Sequence, residues 1–290
     1  YAMAVGGSGF SVGTLNLNRF TQVGSTAQAL TLTGTAILNL GPDSQFDGDV
    51  NFVSPRVLLN GTIFNGSTYI EKNGATNDTG TGNNTFNGTA TLVNSSPSVF
   101  RTNGNNTFNG VTTFINSGSQ DILFELNTGS TYNNTVTFQN TGSSSIRVAY
   151  NGTNAFNGDI IVENPVGNGV YFCESAAATA ILADTRTITV GGLGFNAGDL
   201  RLLRFTQVGG TAQTLTLIGS ALLTLGPSSA FGGDVTFTSP RVLLNGTTYS
   251  GNAYIEKTSV IGDDGTGGNT FNGTTTLVNS GDAYFSTGNN

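Results

Sequence analysis

The segment that starts at Asn84 reads N-T-F-N-G-T-A-T-L-V-N-S, and the chain repeats this pattern three more times. The later versions are N-T-F-N-G-V-T-T-F-I-N-S-G from Asn106, T-Y-N-N-T-V-T-F-Q-N-T-G from Thr131 and N-A-F-N-G-D-I-I-V-E-N-P from Asn154. Each version carries one aromatic anchor, and the anchors are evenly spaced at Phe86, Phe108, Tyr132 and Phe156. A period of about 23 residues predicts a solenoid, in which each repeat forms one turn of a stack.

The residues after each anchor alternate between apolar and polar side chains, which is typical of β-strands. Inward positions four and six places after the anchor hold Ala90, Thr112, Val136 and Ile160, then Leu92, Phe114, Phe138 and Val162. The outward position between them holds Thr91, Thr113, Thr137 and Ile161, and turns open at Asn94, Asn116, Asn140 and Asn164. A second apolar alternation follows in Phe100 and Thr102, Ile122 and Phe124, Ile146 and Val148, and Val170 and Phe172. Each unit therefore contains two or more short strands.

A single unit cannot bury its apolar side alone, so we expect the units to stack with equivalent residues in register. Stacking aligns one asparagine column: Asn65, Asn87, Asn109, Asn133 and Asn157. The predicted fold is all-β, a parallel β-helix (β-solenoid) of about 18–24 residues per coil with stacked Phe, Asn and Thr columns. About thirteen such coils would span roughly 60 Å. The alternative is a sandwich with Asn-Gly hairpins, which does not require columns in phase.

The chain also contains a longer repeat, each copy of which spans several of the short repeats. The block R-F-T-Q-V at Arg19 returns at Arg204, and S-P-R-V-L-L-N-G at Ser54 returns at Ser239, with the same offset in numbering. Residues 1–105 map onto 186–290 without a gap, and roughly 60% of the pairs are identical. We expect residues 1–290 to form a single continuous solenoid, as a window of a longer chain, with 106–185 as the remainder of the long repeat.

Two stretches fit the short period poorly. The interval from Phe10 to Phe46 is too long for one coil, and we interpret it as two short coils. The interval from Phe156 to Phe195 is longer still and crosses the alanine-rich segment that begins at Ser175. That segment is compatible either with a turn of helix or with small residues that pack into a narrow corner.

Composition excludes several classes of function. The net charge is −7 with only ten Lys and Arg residues, scattered along the chain, so we expect no nucleic-acid partner. No apolar run approaches the length of about 18 residues that a membrane-spanning helix needs. Without histidine there is no base for a serine or cysteine nucleophile. The single cysteine, Cys173, aligns with Glu125 and Ala149 of neighbouring units, and we expect it to face outward without a catalytic role.

Comparison of the two copies of the long repeat shows which acidic residues recur at equivalent positions. Asp47 and Asp49 flank a glycine, but the second copy has Gly232 and Asp234, so a catalytic pair is not retained. Asp78 returns as Asp263 and is interpreted as a turn residue. We predict surface ion pairs between Arg56 and Asp78 and between Arg241 and Asp263, because the members of each pair are one period apart, on adjacent coils.

We therefore predict no catalytic, cofactor-binding or metal-binding residues, and no enzyme activity. No cofactor is expected, although calcium at isolated Asp-containing loops stays open. Gly6-Gly7-Ser8-Gly9 and Gly191-Gly192-Leu193-Gly194 look like dinucleotide loops but lie in a β context without a following helix, so they are interpreted as turns between coils.

The combined blocks N-T-F-N-G-x-x-T-x-x-N-S-G, R-F-T-Q-V-G and S-P-R-V-L-L-N-G resemble the very long β-strand-repeat surface proteins of Bacteroidota across essentially the whole chain. The resemblance implies a giant, secreted, cell-surface-associated protein that is exported by the type 9 route and serves as an adhesin or filament. A weaker likeness exists to the passenger repeats of autotransporters.

Three hypotheses of function follow. The first is a stiff extracellular fibre or adhesin stalk, whose partners would be further copies of the same repeat, in one chain or end to end, and surface glycans or abiotic surfaces. The second is a carbohydrate-binding or polysaccharide-cleaving β-helix, a class in which fold alone does not establish function. The third is a face that templates ice or another surface on threonine columns, which Asn51 and Ile161 interrupt.

Overall fold

A computed structural model describes residues 1–124 and 128–288, and the described residues form strands and turns without a helix. The 36 strands, in chain order, are β1 Thr14–Leu17, β2 Thr21–Gln22, β3 Gln28–Thr31, β4 Ile37–Leu40, β5 Ser44–Phe46, β6 Val50–Ser54, β7 Arg56–Leu59, β8 Thr62–Phe64, β9 Thr68–Lys72, β10 Thr85–Phe86, β11 Ala90–Asn94, β12 Phe100–Asn103, β13 Thr107–Phe108, β14 Thr112–Asn116, β15 Ile122–Phe124, β16 Thr131–Tyr132, β17 Val136–Asn140, β18 Ser145–Val148, β19 Thr153–Phe156, β20 Ile160–Asn164, β21 Gly169–Phe172, β22 Thr179–Leu182, β23 Ile188–Phe195, β24 Asp199–Leu202, β25 Phe205–Gln207, β26 Gln213–Thr216, β27 Leu222–Leu225, β28 Ala230–Phe231, β29 Val235–Ser239, β30 Arg241–Leu244, β31 Thr248–Tyr249, β32 Ala253–Lys257, β33 Asp263–Asp264, β34 Thr270–Phe271, β35 Thr275–Asn279 and β36 Phe285–Ser286.

The strands form three faces of a β-solenoid of about twelve turns. The first face is an unbroken twelve-stranded sheet that runs from β2 to β34. The second face runs from β3 to β23 and continues from β26 to β35, and the third consists of three shorter sheets that start at β1, β12 and β33. Strands pair in parallel with their counterparts one turn away, so the predicted β-helix is confirmed and the hairpin sandwich is wrong.

The aromatic anchors lie on the first face and stack along its interior. Phe86 pairs with Phe108, and Phe108 with Tyr132, in the parallel ladder. The ring centroids of these pairs are 4.8 and 5.0 Å apart with interplanar angles of 4° and 2°. These separations match the rise of about 4.8 Å between neighbouring strands. The backbone spacing therefore sets the ring stacking, and all three side chains are buried.

Not every anchor position is aromatic. Gln22, Leu182 and Gln207 occupy the anchor position in their coils, because they pair in register with Phe46, Phe156 and Leu182 respectively. Coil length consequently varies more than the sequence predicted. The sequence separation between stacked residues is 18 where β8 follows β5 and 26 where β22 follows β19. The expected upper limit per coil is therefore too low, and the expected thirteen coils are corrected to about twelve.

Phe10, where the first irregular stretch begins, and Phe195, where the second ends, are not anchors. Phe195 ends β23 on the second face and pairs with Asn164 across a register shift, while Phe10 packs against one end of the core. The alanine-rich segment contains a turn in which Ala178 N donates to Ser175 O at 3.1 Å, followed by β22. Ala178 and Ala180 are buried, so small residues pack inside the coil and the helical alternative is wrong.

A polar column also runs through the interior, at the corner after the second face. It contains Ser54, Lys72, Asn94, Asn116 and Asn140, which pair in register and are all fully buried. Each asparagine donates to a backbone carbonyl of its own coil or the next: Asn140 Nδ2 donates to Ser144 O at 2.7 Å and Asn116 Nδ2 to Ser145 O at 3.3 Å. The buried amides thus donate hydrogen bonds to carbonyl groups near the turns, where strand pairing does not satisfy every backbone group.

Contacts in the first copy of the long repeat recur at the equivalent residues of the second copy. Met3 N donates to Gln28 Oε1 at 2.7 Å, and Ile188 N donates to Gln213 Oε1 at 2.9 Å. Thr81 N donates to Asn60 Oδ1 and Thr266 N to Asn245 Oδ1, both at 2.7 Å. The sequence repeat therefore carries a repeated set of side-chain bonds between coils.

Candidate functional surfaces

An exposed ladder of asparagine amides lies next to the anchor column. Each Nδ2 donates to the Oδ1 of the residue one coil earlier, at 2.7–2.8 Å, through Asn157, Asn133, Asn109, Asn87 and Asn65. Asn65 Nδ2 then donates to Asp47 Oδ1 at 2.8 Å. The predicted asparagine column is therefore present, and all its amides point in one direction along the stack.

Asp47 and Asp49 bind different partners. Hydrogen bonds from Gln45 and Asn65 hold the pKa of Asp47 below its usual value. Asp49 Oδ1 instead accepts the backbone N–H of Ser67 at 2.8 Å, and Asp234 Oδ1 accepts that of Asn252 at 2.7 Å. The aspartate that both copies retain, Asp49 or Asp234, thus caps a backbone N–H at the corner of the next coil.

The predicted ion pair on adjacent coils forms in only one of the two copies. Arg241 Nε lies 2.9 Å from Asp263 Oδ1, as expected. In the first copy Arg56 Nη2 donates to Thr79 at 3.0 Å, and Arg56 Nε and Asp78 Oδ2 have no hydrogen-bond partner among the described residues. The expected location at the surface is wrong in both copies, because Asp78 and Asp263 are fully buried.

Both aspartates cap the third face from inside. Asp78 Oδ1 accepts Val57 N–H at 3.0 Å and Asp263 Oδ2 accepts Val242 N–H at 2.8 Å. Val57 and Val242 lie in β7 and β30, so each aspartate caps a strand of the neighbouring coil and not the turn of its own that the sequence predicted. Burial raises the pKa of Asp78 to about 8, although the positive charge of Lys72 opposes this shift.

Lys72 is a buried cation whose charge acts on Asp78. Its side chain is fully buried, and Nζ donates to Gly74 O at 2.6 Å, to Ser96 Oγ at 3.0 Å and to Ser98 Oγ. Burial lowers the pKa of Lys72 from its ordinary value. Its three donors are thus committed to one carbonyl and two serine hydroxyl groups.

Cys173 does not face outward as expected. It is fully buried, as is Ala149 at the equivalent position one coil earlier, and Glu125 of the preceding unit lies outside the described residues. Ala149 and Cys173 have φ values of 52° and 56°. This left-handed conformation interrupts the alternation of the strand, so side-chain direction cannot be extrapolated across it.

A charged cluster on the third face was not apparent from the sequence. Arg147 and Arg201 lie over the ring of Tyr171, with centroid distances of 5.9 and 4.1 Å. Glu174 forms ion pairs with both, at 2.9 and 3.4 Å. The residues belong to different coils and share no motif; only the register, which places Tyr171 between the two arginines, brings them together. Asp121 and Asp199 also pair with Arg147 and Arg201, at 2.7 and 2.8 Å, so each arginine of the cluster is matched by carboxylates and the cluster fixes neighbouring coils.

The outward threonine column on the second face is short. Thr91, Thr113 and Thr137 pair in succession, but Tyr69 precedes them and Ile161 follows. A surface-templating lattice would need a longer uniform array, and this ladder supplies only three equivalent hydroxyl groups.

The glycine-rich motifs do not form phosphate loops. Gly9 N donates to Gly6 O at 2.8 Å in the turn that was expected. Gly191 and Gly194 lie within β23, beside a register shift, so the expected turn is here an irregular strand. Within residues 1–124 and 128–288 no three His, Cys, Asp or Glu side chains cluster as metal ligands would. Nor does that part of the chain contain a helix of the length and hydropathy required to cross a membrane.

Comparisons with protein-family models, curated proteins and solved structures find no match to this chain. The resemblance to the repeat proteins of Bacteroidota thus stays a hypothesis.

Proposed function

We propose that the chain is a non-enzymatic structural segment of a large extracellular or cell-surface protein, in which it acts as a stiff fibre or adhesin stalk. The observation that carries the proposal is the unbroken first face, a single parallel sheet of twelve strands from β2 to β34. Twelve strands at about 4.8 Å span about 53 Å. A sheet that continues coil by coil resists bending, because each coil bonds to both neighbours.

The chemistry of the polar groups supports a structural role. Asp49, Asp78 and Asp263 cap backbone N–H groups of adjacent coils, and Lys72 is saturated by serines and a carbonyl. These groups hold one coil to the next through hydrogen bonds to its backbone or side chains. Secretion, type 9 export and a cell-surface location belong to the same proposal and rest on the sequence resemblance alone.

Lengthening the chain in phase tests the rod. Appending residues 106–290 after residue 290 continues the long repeat, because residue 290 is equivalent to residue 105. Each added unit contributes eight coils, so negative-stain electron microscopy should show particles that lengthen by about 38 Å per unit at constant width. Compact particles, or segments joined by flexible bends, would contradict the proposal.

The location needs its own test. Antibodies raised against the full chain should label intact, unpermeabilised cells of the source organism in immunogold microscopy. Label confined to permeabilised cells would refute the extracellular part of the proposal and leave the rod intact.

A further inference from the structure

Two shallow depressions on the second face are lined by equivalent residues of the two copies. The first, of about 260 Å³, is lined by Asp49, Tyr69 and Thr91, among others. The second, of about 370 Å³, is lined by their counterparts Asp234, Tyr254 and Thr276. Because each counterpart occupies the equivalent position of the second long repeat, the same site occurs twice on one face.

The tyrosine at the centre of each depression is tethered in the same way. Tyr69 OH donates to Glu71 Oε2 at 2.7 Å, and Ser95 Oγ donates to Glu71 Oε1 at 2.5 Å. In the second copy Tyr254 OH donates to Glu256 Oε2 at 3.0 Å, and Ser280 Oγ donates to Glu256 Oε1. Since each hydroxyl group is committed to a carboxylate on its own strand, each ring is fixed against the sheet before a ligand arrives.

The tyrosines stay neutral at physiological pH. Burial, together with the hydrogen bond to Glu71, raises the pKa of Tyr69 to about 12. The hydrogen bond to Glu256 likewise raises the pKa of Tyr254. Each depression therefore offers a neutral aromatic ring that is partly exposed to solvent.

Around the ring are groups that exchange hydrogen bonds with hydroxyls. Asp49 is exposed and uses Oδ1 for Ser67 N–H, while Thr89 and Thr91 contribute hydroxyl groups from the next coil. Asp234, Thr274 and Thr276 repeat the set. Carboxylates accept and threonines both donate and accept, which complements the alternating hydroxyl groups of a sugar. A tyrosine ring supplies an apolar surface for the C–H face of a pyranose.

Charge argues against an anionic ligand. In the described part of the chain no Lys or Arg lines either depression, and each contains an exposed aspartate. The net charge of the whole chain is −7, which repels a polyanion. Both volumes are close to the lower limit of about 300 Å³ for small-molecule pockets, so each depression suits one ring of a polymer that lies across the surface.

From these observations we infer that the two depressions are paired subsites for a neutral polysaccharide, and that one polysaccharide chain occupies both. Eight strand steps separate β9 from β32 along the second face, a distance of about 38 Å. A polymer longer than this can bind both sites at once, which multiplies two weak affinities. The inference goes beyond the structural role, because a rod that binds no glycan would still act as a spacer.

Affinity electrophoresis of the full chain in gels that contain soluble neutral polysaccharides tests the inference. The probes are a galactomannan, a xyloglucan and a mixed-linkage β-glucan, with alginate as the anionic comparator. We expect retardation by at least one neutral polymer and none by alginate. If no neutral polymer retards the chain, or if alginate retards it equally, the inference is wrong.

Matched variants separate the two sites. Tyr69→Ala and Tyr254→Ala should each weaken binding to the retarding polymer by at least tenfold, since each leaves one site, and the double variant should abolish binding. Tyr69→Phe keeps the ring and should retain most of the affinity. Thr113→Ala, on the same face but outside both depressions, should change nothing. Equal affinity of the wild type and the double variant would overturn the assignment of these sites, while the rod measurement would be unaffected.

Discussion

Arg241 and Asp263 form an ion pair between adjacent coils, with Nε 2.9 Å from Oδ1, whereas their counterparts Arg56 and Asp78 do not pair. The two sites share the S-P-R-V block and the backbone cap but differ at Thr79, which is Asp264 in the second copy. One chain thus contains a buried aspartate that is ion-paired and one that is not. Burial opposes the ionisation of Asp78, while Asp263 lies against the guanidinium group of Arg241.

The first prediction concerns pH and Asp78. Its folded-state pKa of about 8 lies above the ordinary value of 3.8, so between these values the native state binds a proton that the unfolded state has released. The free energy of unfolding should therefore fall as pH rises from about 4 to 8. Asp78→Asn removes this cost and keeps an acceptor for Val57 N–H. At pH 8 it should stabilise the chain by more than about 1 kcal/mol, and at pH 4 it should have little effect.

Asp263→Asn is the matched control. It removes an ion pair with Arg241 and should destabilise the chain at pH 7 by about 1–3 kcal/mol. Hydrogen exchange of the Val57 and Val242 amides reports each site locally, because each amide donates to the aspartate in question. Equal responses to the two substitutions at pH 8 would contradict the assigned difference between the copies.

The second prediction concerns the amide ladder. Asn109→Asp removes the Nδ2 donor to Asn87 and places a charge beside its Oδ1 atom. Because the ladder is exposed, the loss should be modest, about 0.5–1.5 kcal/mol in chemical denaturation. Asn134→Asp is the control, since Asn134 Oδ1 accepts a local bond from Thr135 N and stands outside the ladder. A loss of the same size in both variants would show that added charge, not the broken ladder, is responsible.

Much of this fold can be predicted from positions at which the same type of residue recurs in successive coils. Phe86, Phe108 and Tyr132 reveal the period because similar chemistry returns at equivalent positions, and the asparagine ladder follows from it. Gln22 and Gln207 occupy the same anchor position but are not aromatic, so the aromatic pattern in the sequence did not identify them as anchors. Gln207 lies buried in the column, where Oε1 accepts Gly232 N–H and Gly233 N–H at 3.0 and 3.1 Å. The signal was present, because R-F-T-Q-V recurs with its glutamine one period before an aromatic anchor in both copies.

The candidate surfaces were less predictable than the core. The depression around Tyr69 depends on side chains from several coils, and the Arg147–Tyr171–Arg201 cluster on three others. Because coil length varies from one turn to the next, only the observed register identifies which outward residues become neighbours. The direction of Cys173 was missed for a local reason, the left-handed residue that breaks the strand alternation.

The third prediction concerns the aromatic column. Phe108→Ala should destabilise the chain by about 3–5 kcal/mol, because it leaves a cavity between the rings of Phe86 and Tyr132. Phe108→Leu should cost less, since Leu182 fills the same position in another coil. Phe271→Ala is the control, because that ring is only partly buried. Denaturant titration followed by circular dichroism measures all three, and a Phe108→Ala cost no greater than that of Phe271→Ala would contradict the role of the column.

The fourth prediction concerns the glycines at the corner between the first and second faces. Gly66, Gly88 and Gly110 stack directly, and a Cβ atom at Gly110 would lie 2.1 Å from the carbonyl oxygen of Gly88. The clash is with backbone of the neighbouring coil, which cannot move without breaking the ladder on both faces. Gly110→Ala should therefore destabilise the chain by about 1–3 kcal/mol or more, measured by denaturant titration. Gly210→Ala is the matched control, because a Cβ there meets nothing within 4 Å and should be tolerated. If Gly110→Ala were as stable as Gly210→Ala, the coils would not be packed at this corner as closely as described.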